Sequence, residues 1–469
     1  MLKKYIGTKQ FYKLALAIAL PIMLQNGITN FVSMLDNIMI GRVGQAQMTG
    51  VSAANQLIFV FNLAVFGALS GAGIFGAQFH GKGDTEGVRN SFRFKLIICA
   101  VLVVIGTVVF SVFGKDLIML YLRGEGDVLD AEASLEYGLK YTRVIMFTFL
   151  PFVLSQCYAS TLRETGETVL PMTAGIVAVF VNLAFNWILI YGNLGFPAMG
   201  VEGAAIATGI SRVVEILIIA ITTHVKAKKK FLFAQGLYKK IFIPFSLFKS
   251  ISWRGLPLLL NETLWSAGMA TLAQCYSVRS LDVMAAISIT NTLYNVFNVA
   301  IFALSTTVGI IVGHSLGAGK VDEARDAARK MIALVFVLAI VVGGVYAACS
   351  TFFPNIYETS DSVKALASSF IIVGAIFLPV SATCHACYYT LRAGGKTFIT
   401  FLFDSVFVWV LAVPTAFILS YFTGLPIVAV YASVVGLDMI KAVVGIILVK
   451  KGVWVNNIVE NEEKPAKAE

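Results

Sequence analysis

The stretch NQLIFVFNLAVF at residues 55–66 returns as NTLYNVFNVAIF at residues 291–302, 236 positions further along the chain. A second motif, TLRxxGxT, stands at residues 161–168 and again at residues 390–397. Repeats of solenoid proteins follow one another at much shorter periods, so this spacing indicates a duplicated half rather than an array. The sequence therefore predicts two halves of similar fold.

Composition indicates that both halves lie in a membrane. Hydrophobic residues make up 58% of the chain, charged residues make up 13%, and the mean hydropathy is +0.82. A helix that crosses a bilayer needs ~20 mostly apolar residues. We predict an all-α polytopic membrane protein whose twelve transmembrane helices occupy residues 12–40, 48–80, 92–114, 136–160, 167–191, 200–223, 251–276, 283–313, 330–353, 363–390, 397–421 and 427–449.

The predicted spans divide the chain into two pseudo-symmetric six-helix bundles. We assign residues 1–223 to the first half, 224–250 to a basic cytoplasmic linker, 251–450 to the second half and 451–469 to a cytoplasmic tail. Six spans return the chain to its starting side, so the two repeats run parallel. The polar composition of residues 455–469 predicts disorder there.

The distribution of basic residues predicts the orientation. Residues at the ends of spans are counted with the adjoining loops. Of the 36 Lys and Arg residues, 27 then lie in the termini and loops on one side, seven lie on the other side, and two lie deep inside spans. Basic loops stay in the cytoplasm. We therefore expect both termini to be cytoplasmic and the protein to lie in the cytoplasmic membrane. The net charge of +10 reflects this topology, and we expect no nucleic-acid partner.

Three carboxylates lie inside predicted spans: Asp36, Glu262 and Asp404. A charge at mid-membrane costs at least ~2.5–3.5 kcal/mol on insertion scales, so a role in a functional site is the default interpretation. Asn182 and Asn186, one helical turn apart, add amides to the same set. We predict that these five residues couple transport to an ion or a proton. Asp404 lies closest to a membrane edge, where water could reach it.

Two pairs of opposite charges also fall inside spans. Arg212 and Glu215 are three residues apart, and so are Asp438 and Lys441, with the signs exchanged between the halves. Side chains at this spacing are neighbours on a helix surface. We predict that each pair neutralises itself and has a structural role.

Amides and aromatic side chains predict what the interior binds. Aromatic faces attract cations and suit bulky organic cations better than anions. Asparagines on helices also serve as interhelical hydrogen-bond glue, and the sequence alone leaves both roles open. The predicted substrate cavity consists of Phe61, Asn62, Asn291, Tyr294, Asn295, Asn298 and Trp409.

Several motifs resemble those of the multidrug and toxic compound extrusion (MATE) family of secondary antiporters. They are LPIMLQ at 20–25, DNIMIG at 36–41, GKGD at 81–84 and LRAGGK at 391–396, together with Glu262 five residues after Pro257. The resemblance covers residues 10–450 and includes the duplication. It implies export of diverse organic cations in exchange for Na⁺ or H⁺ by alternating access, with no other cofactor. We expect a monomer in the lipid bilayer.

The chain departs from the family pattern at two places. Family members often carry an acidic residue where this chain has Asn186, and some carry an aspartate in the tenth span, where no Asp or Glu occurs between Ser368 and Leu391. Asp404 could replace the latter. The choice between Na⁺ and H⁺, and the half that binds the ion, therefore stay open.

Two other classes of protein compete with a cation antiporter. A flippase for lipid-linked precursors from a related superfamily would line its cavity with unpaired Arg or Lys, whereas Arg212 and Lys441 both have acidic neighbours. A membrane enzyme would need a nucleophile or a metal constellation near an interface, and the sequence offers neither. We expect a transporter without catalytic or metal-binding residues.

Overall fold

A computed structural model of the protein describes residues 4–122, 128–239 and 242–461. These residues form helices and loops, and none of them lies in a β-strand. The helices are α1 (Lys9–Gly41), α2 (Gln45–Lys82), α3 (Thr85–Leu122), α4 (Val128–Ile145), α5 (Phe149–Glu164), α6 (Val169–Tyr191), α7 (Gly200–Val225), α8 (Phe245–Ser277), α9 (Leu281–Gly317), α10 (Val321–Ala348), α11 (Asp361–Ala393), α12 (Thr397–Phe401), α13 (Val413–Phe422), α14 (Ile427–Gly436), α15 (Asp438–Lys451) and α16 (Ile458–Asn461).

Eleven helical stretches within the described ranges are long and apolar enough to cross a membrane. Four of them join shorter elements: α4 runs into α5, α10 runs into a 3₁₀ turn at Cys349–Thr351, residues 397–422 form one stretch, and so do residues 427–451. The twelfth predicted span corresponds to α8, which has 33 residues but is less apolar because polar side chains, Asn261 and Glu262 among them, interrupt it. The prediction of an all-α, multi-pass fold is confirmed.

Two of the spans have an irregular helical segment just before a proline. A 3₁₀ turn at Met146–Thr148 separates α4 from α5, and Pro151 follows as the third residue of α5. Between α12 and α13 the chain is π-helical over Leu402–Val406 and Val408–Ala412, and Pro414 follows at the start of α13. A proline lacks the N–H that an interior helix position needs, so helical breaks are favoured just before it. π-Helical segments are rare and are frequent at functional sites.

The chain folds into two compact units. Among the described residues, unit 1 consists of residues 4–23, 77–84 and 250–461, and unit 2 consists of residues 24–76, 85–122, 128–239 and 242–249. The first part of α1, up to residue 23, and the last turns of α2, from residue 77, therefore group with the second half of the sequence. In unit 1, buried residues of α1, α9, α10, α11 and α15 form one core. In unit 2, a core forms around Ile40, Val51, Tyr141 and Ala205.

Within unit 1, the end of α2 crosses the end of α9 at very short range. A Cβ atom on Gly81 would lie 2.1 Å from the backbone oxygen of His314, and one on Gly317 would lie 1.8 Å from that of Gln78. The rings of His80 and His314 lie 4.8 Å apart, centre to centre, and are tilted by 52°. Only glycine allows two helix backbones to approach this closely. Because Gly81 and Gly317 are 236 positions apart, this crossing joins the two copies of the sequence repeat.

The C-terminal segment is packed rather than disordered. Trp454 is 1% exposed, and Ile458 and Val459 are fully buried. The prediction of disorder is wrong for residues 455–461, because it weighed the polar composition and overlooked these apolar side chains. Residues 462–469 of the predicted tail lie outside the described residues.

Gln78 of α2 holds this segment. Its Nε2 donates to the backbone oxygen of Ala393 at 2.8 Å and to that of Asn456 at 3.2 Å, and its Oε1 accepts from the backbone N–H of Ile458 at 2.9 Å. The side chain is completely buried. Gln78 therefore joins the end of α2, the end of α11 and the C-terminal segment within unit 1.

The substitution Gln78→Met tests this role, since it keeps the length of the side chain and removes all three hydrogen bonds. A buried polar group left unsatisfied costs about 1–3 kcal/mol. We expect a clearly lower thermal unfolding midpoint in detergent. Gln56→Met, at an exposed position of the same helix, is the control and should leave the midpoint unchanged. Equal midpoints for both variants would contradict the role of Gln78.

Candidate functional site

In unit 2, Asp36 of α1 is held by two amides of α6. Asn186 donates from Nδ2 to Asp36 Oδ1 at 2.6 Å. The amide of Asn182, assigned from its hydrogen-bond partners, places its nitrogen 3.0 Å from each carboxylate oxygen of Asp36. Asn182 and Asn186 are 7% and 1% exposed. The structure thus brings together three of the five predicted coupling residues.

Asn186 also leaves an acceptor free beside this carboxylate. Its Oδ1 is buried and has no hydrogen-bond partner among the described residues. Buried polar atoms are nearly always paired, so an exception needs an explanation such as an ion or a water molecule. Carboxylate and amide oxygens are the ligands that hard cations prefer. The Asp36 cluster therefore has the chemistry to receive a proton or a small cation.

Arg212, the basic residue near Asp36 in unit 2, already has an acidic partner. Arg212 forms an ion pair with Glu215 at 2.8 Å, and Glu215 is almost fully buried. The guanidinium also lies 5.1 Å from the centre of the Phe152 ring. The predicted pairing of Arg212 with Glu215 is confirmed. Arg212 is paired with Glu215, and the hydrogen bonds to Asp36 come from uncharged amides.

In unit 1, Asp404 lies on the π-helical stretch between α12 and α13. Lys441 of α15 donates to Asp404 Oδ1 at 2.6 Å, and Asn261 of α8 donates to Oδ2 at 3.1 Å. The side chains of Lys441 and Asp404 are 11% and 19% exposed. Protein groups satisfy both oxygens of Asp404, and its closeness to a membrane edge stays a prediction.

The predicted pairing of Asp438 with Lys441 is also wrong in this structure. The long Lys441 side chain leaves its own helix and reaches Asp404, which Asn261 holds in place. Spacing along one helix identifies neighbours on that helix, but it carries no information about a carboxylate on another helix.

Asn261 is a central residue that the sequence analysis missed. Its Oδ1 accepts from Ser405 Oγ at 2.8 Å and from the backbone N–H of Ser405 at 3.3 Å, and its backbone oxygen accepts from Ser405 Oγ at 2.7 Å. Its Nδ2 also lies 3.4 Å from Tyr388 Oη. A buried amide with this many partners fixes the π-helical stretch against α8. The available signal was a polar residue inside an apolar run, next to the more conspicuous Glu262.

Glu262 is half-buried on α8. The charges that act on it most strongly are those of Arg392 and Asp404. Arg392 belongs to the second TLRxxGxT motif, and its guanidinium lies 5.3 Å from the centre of the Tyr389 ring. The repeated motif therefore contributes a positive charge near a predicted coupling carboxylate.

The predicted substrate residues occupy different environments within their units. Phe61 is buried and stacks on Phe149 at 4.2 Å, and Asn62 is half-buried. On α9, Asn291 and Asn295 are exposed, and Asn298 and Tyr294 are half-buried. Trp409 is 38% exposed and donates from Nε1 to the backbone oxygen of Leu264 at 2.8 Å. Their role in substrate binding stays a prediction.

Many membrane-spanning helices with carboxylates buried among them define a class of protein, the secondary membrane transporters. The sequence model of the MatE family matches residues 21–188 and 257–418, which is more than half of the chain. The chain belongs to this family, the MATE transporters.

Curated relatives match the chain almost from end to end. The probable multidrug resistance protein NorM of Thermotoga maritima is 24% identical over 452 residues, which cover 95% of this chain and 94% of that protein. The probable multidrug resistance protein YoeA of Bacillus subtilis is also 24% identical, and the match covers 88% of this chain and 87% of that protein.

Solved structures share the fold. A MATE crystal structure in the bent conformation superposes with a TM-score of 0.83 at 21% identity and covers 98% of this chain and 100% of that one. A mutant of the Vibrio cholerae MATE transporter VcmN gives a TM-score of 0.83 at 18% identity, with 96% and 98% of the chains covered.

The substitution Asn261→Leu tests whether this amide holds the π-helical stretch. It leaves the buried N–H and hydroxyl of Ser405 without their acceptor, which costs about 1–3 kcal/mol. We expect a lower unfolding midpoint for purified protein in detergent. Asn295→Leu makes the same chemical change at an exposed position of α9 and should have little effect. A midpoint that falls equally in both variants would assign the effect to helix composition rather than to these hydrogen bonds.

Proposed function

We propose that this protein is a secondary antiporter that exports structurally diverse organic cations across the cytoplasmic membrane in exchange for Na⁺ or H⁺. The observation that carries the proposal is Asp36, a carboxylate inside a long apolar helix whose hydrogen bonds come from Asn182 and Asn186. Uncharged partners leave its negative charge unneutralised. Such a charge persists in a bilayer only where it has a use.

Export of the organic cation is coupled to entry of H⁺ or Na⁺ because both cations compete for the same carboxylates. Asp36 and Glu262 each hold one cation at a time, so a proton or Na⁺ that arrives from outside displaces an organic cation bound from inside. One elementary charge that crosses 100 mV of membrane potential contributes ~2.3 kcal/mol. We assign ion coupling to Asp36, Asn182, Asn186 and Glu262. Asp404 belongs to the same set with a different partner, Lys441.

Organic cations are the substrates that the aromatic and amide side chains suit best. An aromatic ring attracts a cation by ~0.5–2 kcal/mol. Apolar walls with few fixed hydrogen bonds tolerate different shapes, which predicts competition between dissimilar substrates. The proposed contacts are the seven predicted cavity residues, Phe61, Asn62, Asn291, Tyr294, Asn295, Asn298 and Trp409. The names of the Thermotoga maritima and Bacillus subtilis relatives, both probable multidrug resistance proteins, support this assignment.

A lipid-linked precursor flippase is the alternative function. Binding of a pyrophosphate group would require basic side chains that are free to meet it. Arg212 and Lys441, which lie deep inside predicted spans, form ion pairs with Glu215 and Asp404. These pairs favour a cation transporter.

The experiment that tests this proposal is transport in proteoliposomes with separately imposed Na⁺ and pH gradients. Ethidium is the first substrate, and unlabelled lipophilic cations serve as competitors. We expect efflux that follows one of the two gradients and is inhibited by several dissimilar cations. Movement of an anionic lipid-linked sugar, with no cation moved at either gradient, would replace this proposal by the flippase function.

Two isosteric substitutions test the coupling residues in the same assay. Asp36→Asn and Glu262→Gln keep the shape of each side chain and remove its charge, so each should abolish gradient-driven efflux while the protein still folds. Asp116→Asn makes the same change at an exposed position of α3 and should transport normally. Efflux at the unmodified rate in both Asp36→Asn and Glu262→Gln would show that neither carboxylate couples transport.

We also propose that both termini and the linker 224–250 are cytoplasmic and that the protein is a monomer. Cysteines introduced at Lys228 and Leu194 test the orientation, because both positions are exposed. In intact cells, a membrane-impermeant maleimide should label the Leu194→Cys variant and should label Lys228→Cys only after lysis. Labelling of Lys228→Cys in intact cells would reverse the orientation. The unsubstituted protein measures labelling of native cysteines.

A further inference from the structure

A carboxylate and two aromatic rings, groups that bind cations well, surround the ammonium group of Lys441. Asp404 Oδ1 is 2.6 Å from Nζ, and the centres of the Phe403 and Phe407 rings are 5.3 and 5.8 Å away. A carboxylate and two aromatic faces form the arrangement by which proteins bind free alkylammonium ions. We call Asp404, Phe403 and Phe407 the ammonium box, and Lys441 occupies it. All of them belong to unit 1.

The walls of the ammonium box are fixed by groups other than Lys441. Asn261 holds Asp404 Oδ2 and also bonds Ser405, the next residue of the π-helical stretch. Trp409 ties the second π-helical segment to the backbone of Leu264. Because α8 anchors the stretch at both places, the carboxylate and the rings would stay in position if the lysine side chain moved away.

A second carboxylate lies about one helical turn before Lys441 on the same helix. Asp438 lies three residues earlier on α15, and residues at this spacing are neighbours on a helix surface. Its charge already acts on Lys441, second only to that of Asp404 among the carboxylates. Lys441 can therefore leave Asp404 without becoming an unpaired charge in the membrane, which would be costly.

We propose that the ammonium box is a binding site for primary alkylammonium ions and cationic amines, occupied in this structure by Lys441 as a tethered competitor. Entry of a cationic amine displaces Lys441 from Asp404 to Asp438. Asp404, Asp438 and Lys441 together carry a net charge of −1. One bound monocation brings this charge to zero. This inference rests on the proposed function and names a substrate class and a site for it.

Binding of ¹⁴C-labelled n-butylammonium to purified protein tests the proposal, because this ion has the length of a lysine side chain. A competitor that occupies the site lowers apparent affinity by the fraction of time it is bound, so Lys441→Ala should lower the Kd by about tenfold or more. Asp438→Asn removes the alternative partner of the lysine and should raise the Kd in the otherwise unchanged protein. Asp404→Asn should abolish this binding.

The matched control is Lys330→Ala. Lys330 pairs with Asp326 and lies 5.8 Å from the centre of the Phe11 ring, but Asp326 is 44% exposed, so no enclosed box surrounds that lysine. This variant should bind n-butylammonium as the unmodified protein does. The double variant Asp404→Asn/Lys441→Met removes one acid and one base, so the net charge is unchanged. It should fold as a monodisperse protein and should not bind the ion.

A purely structural ion pair gives a different pattern. In that case Asp438→Asn leaves the Kd unchanged and Lys441→Ala gains no affinity over the unmodified protein, and either result would overturn the proposal. The assay uses no gradient, so it separates this inference from the proposed function. Gradient-driven ethidium efflux together with an unresponsive n-butylammonium Kd would reject the ammonium box and leave the antiporter in place.

Discussion

A carboxylate inside a bilayer must be met by hydrogen-bond donors or by a positive charge, because no bulk water is there to solvate it. Each unit of this protein meets that constraint in its own way. Asp36 is held by the amides of Asn182 and Asn186, which leave its charge in place. Asp404 is held by an amide and by Lys441, which neutralises it. The first arrangement is open to an incoming cation, and the second already contains one.

The second arrangement depends on an irregular backbone. A regular α-helix over residues 402–412 would present Asp404, Ser405 and Trp409 at fixed angular steps of 100° per residue, whereas the π-helical segments change those steps. Asn261 bonds Ser405, and Trp409 bonds the backbone of Leu264. These hydrogen bonds to α8 compensate for the less favourable backbone and set the direction of the Asp404 side chain. Irregular helical geometry and a functional candidate thus occur at the same place.

The sequence predicted the helices and the isolated charges well, because apolar runs and buried carboxylates are local features. It predicted the pair of Arg212 with Glu215, whose members share one helix. It failed where a partner comes from elsewhere in the fold. Lys441 bonds Asp404 rather than Asp438, Asn261 had no visible partner in the sequence, and Gln78 fastens a segment that composition described as disordered. Each of these bonds joins residues that are tens to hundreds of positions apart, and hydrophobic periodicity carries no record of such pairings.

The two halves of the duplicated sequence surround their carboxylates with different partners. In the first half the base precedes the acid, as Arg212 and Glu215, and the base remains with its neighbour. In the second half the acid precedes the base, as Asp438 and Lys441, and the base crosses to Asp404. The same local spacing therefore leaves Asp36 with its negative charge and gives Asp404 a tethered cation. The two bundles thus hold their carboxylates differently, one through uncharged amides and the other through a lysine and an amide.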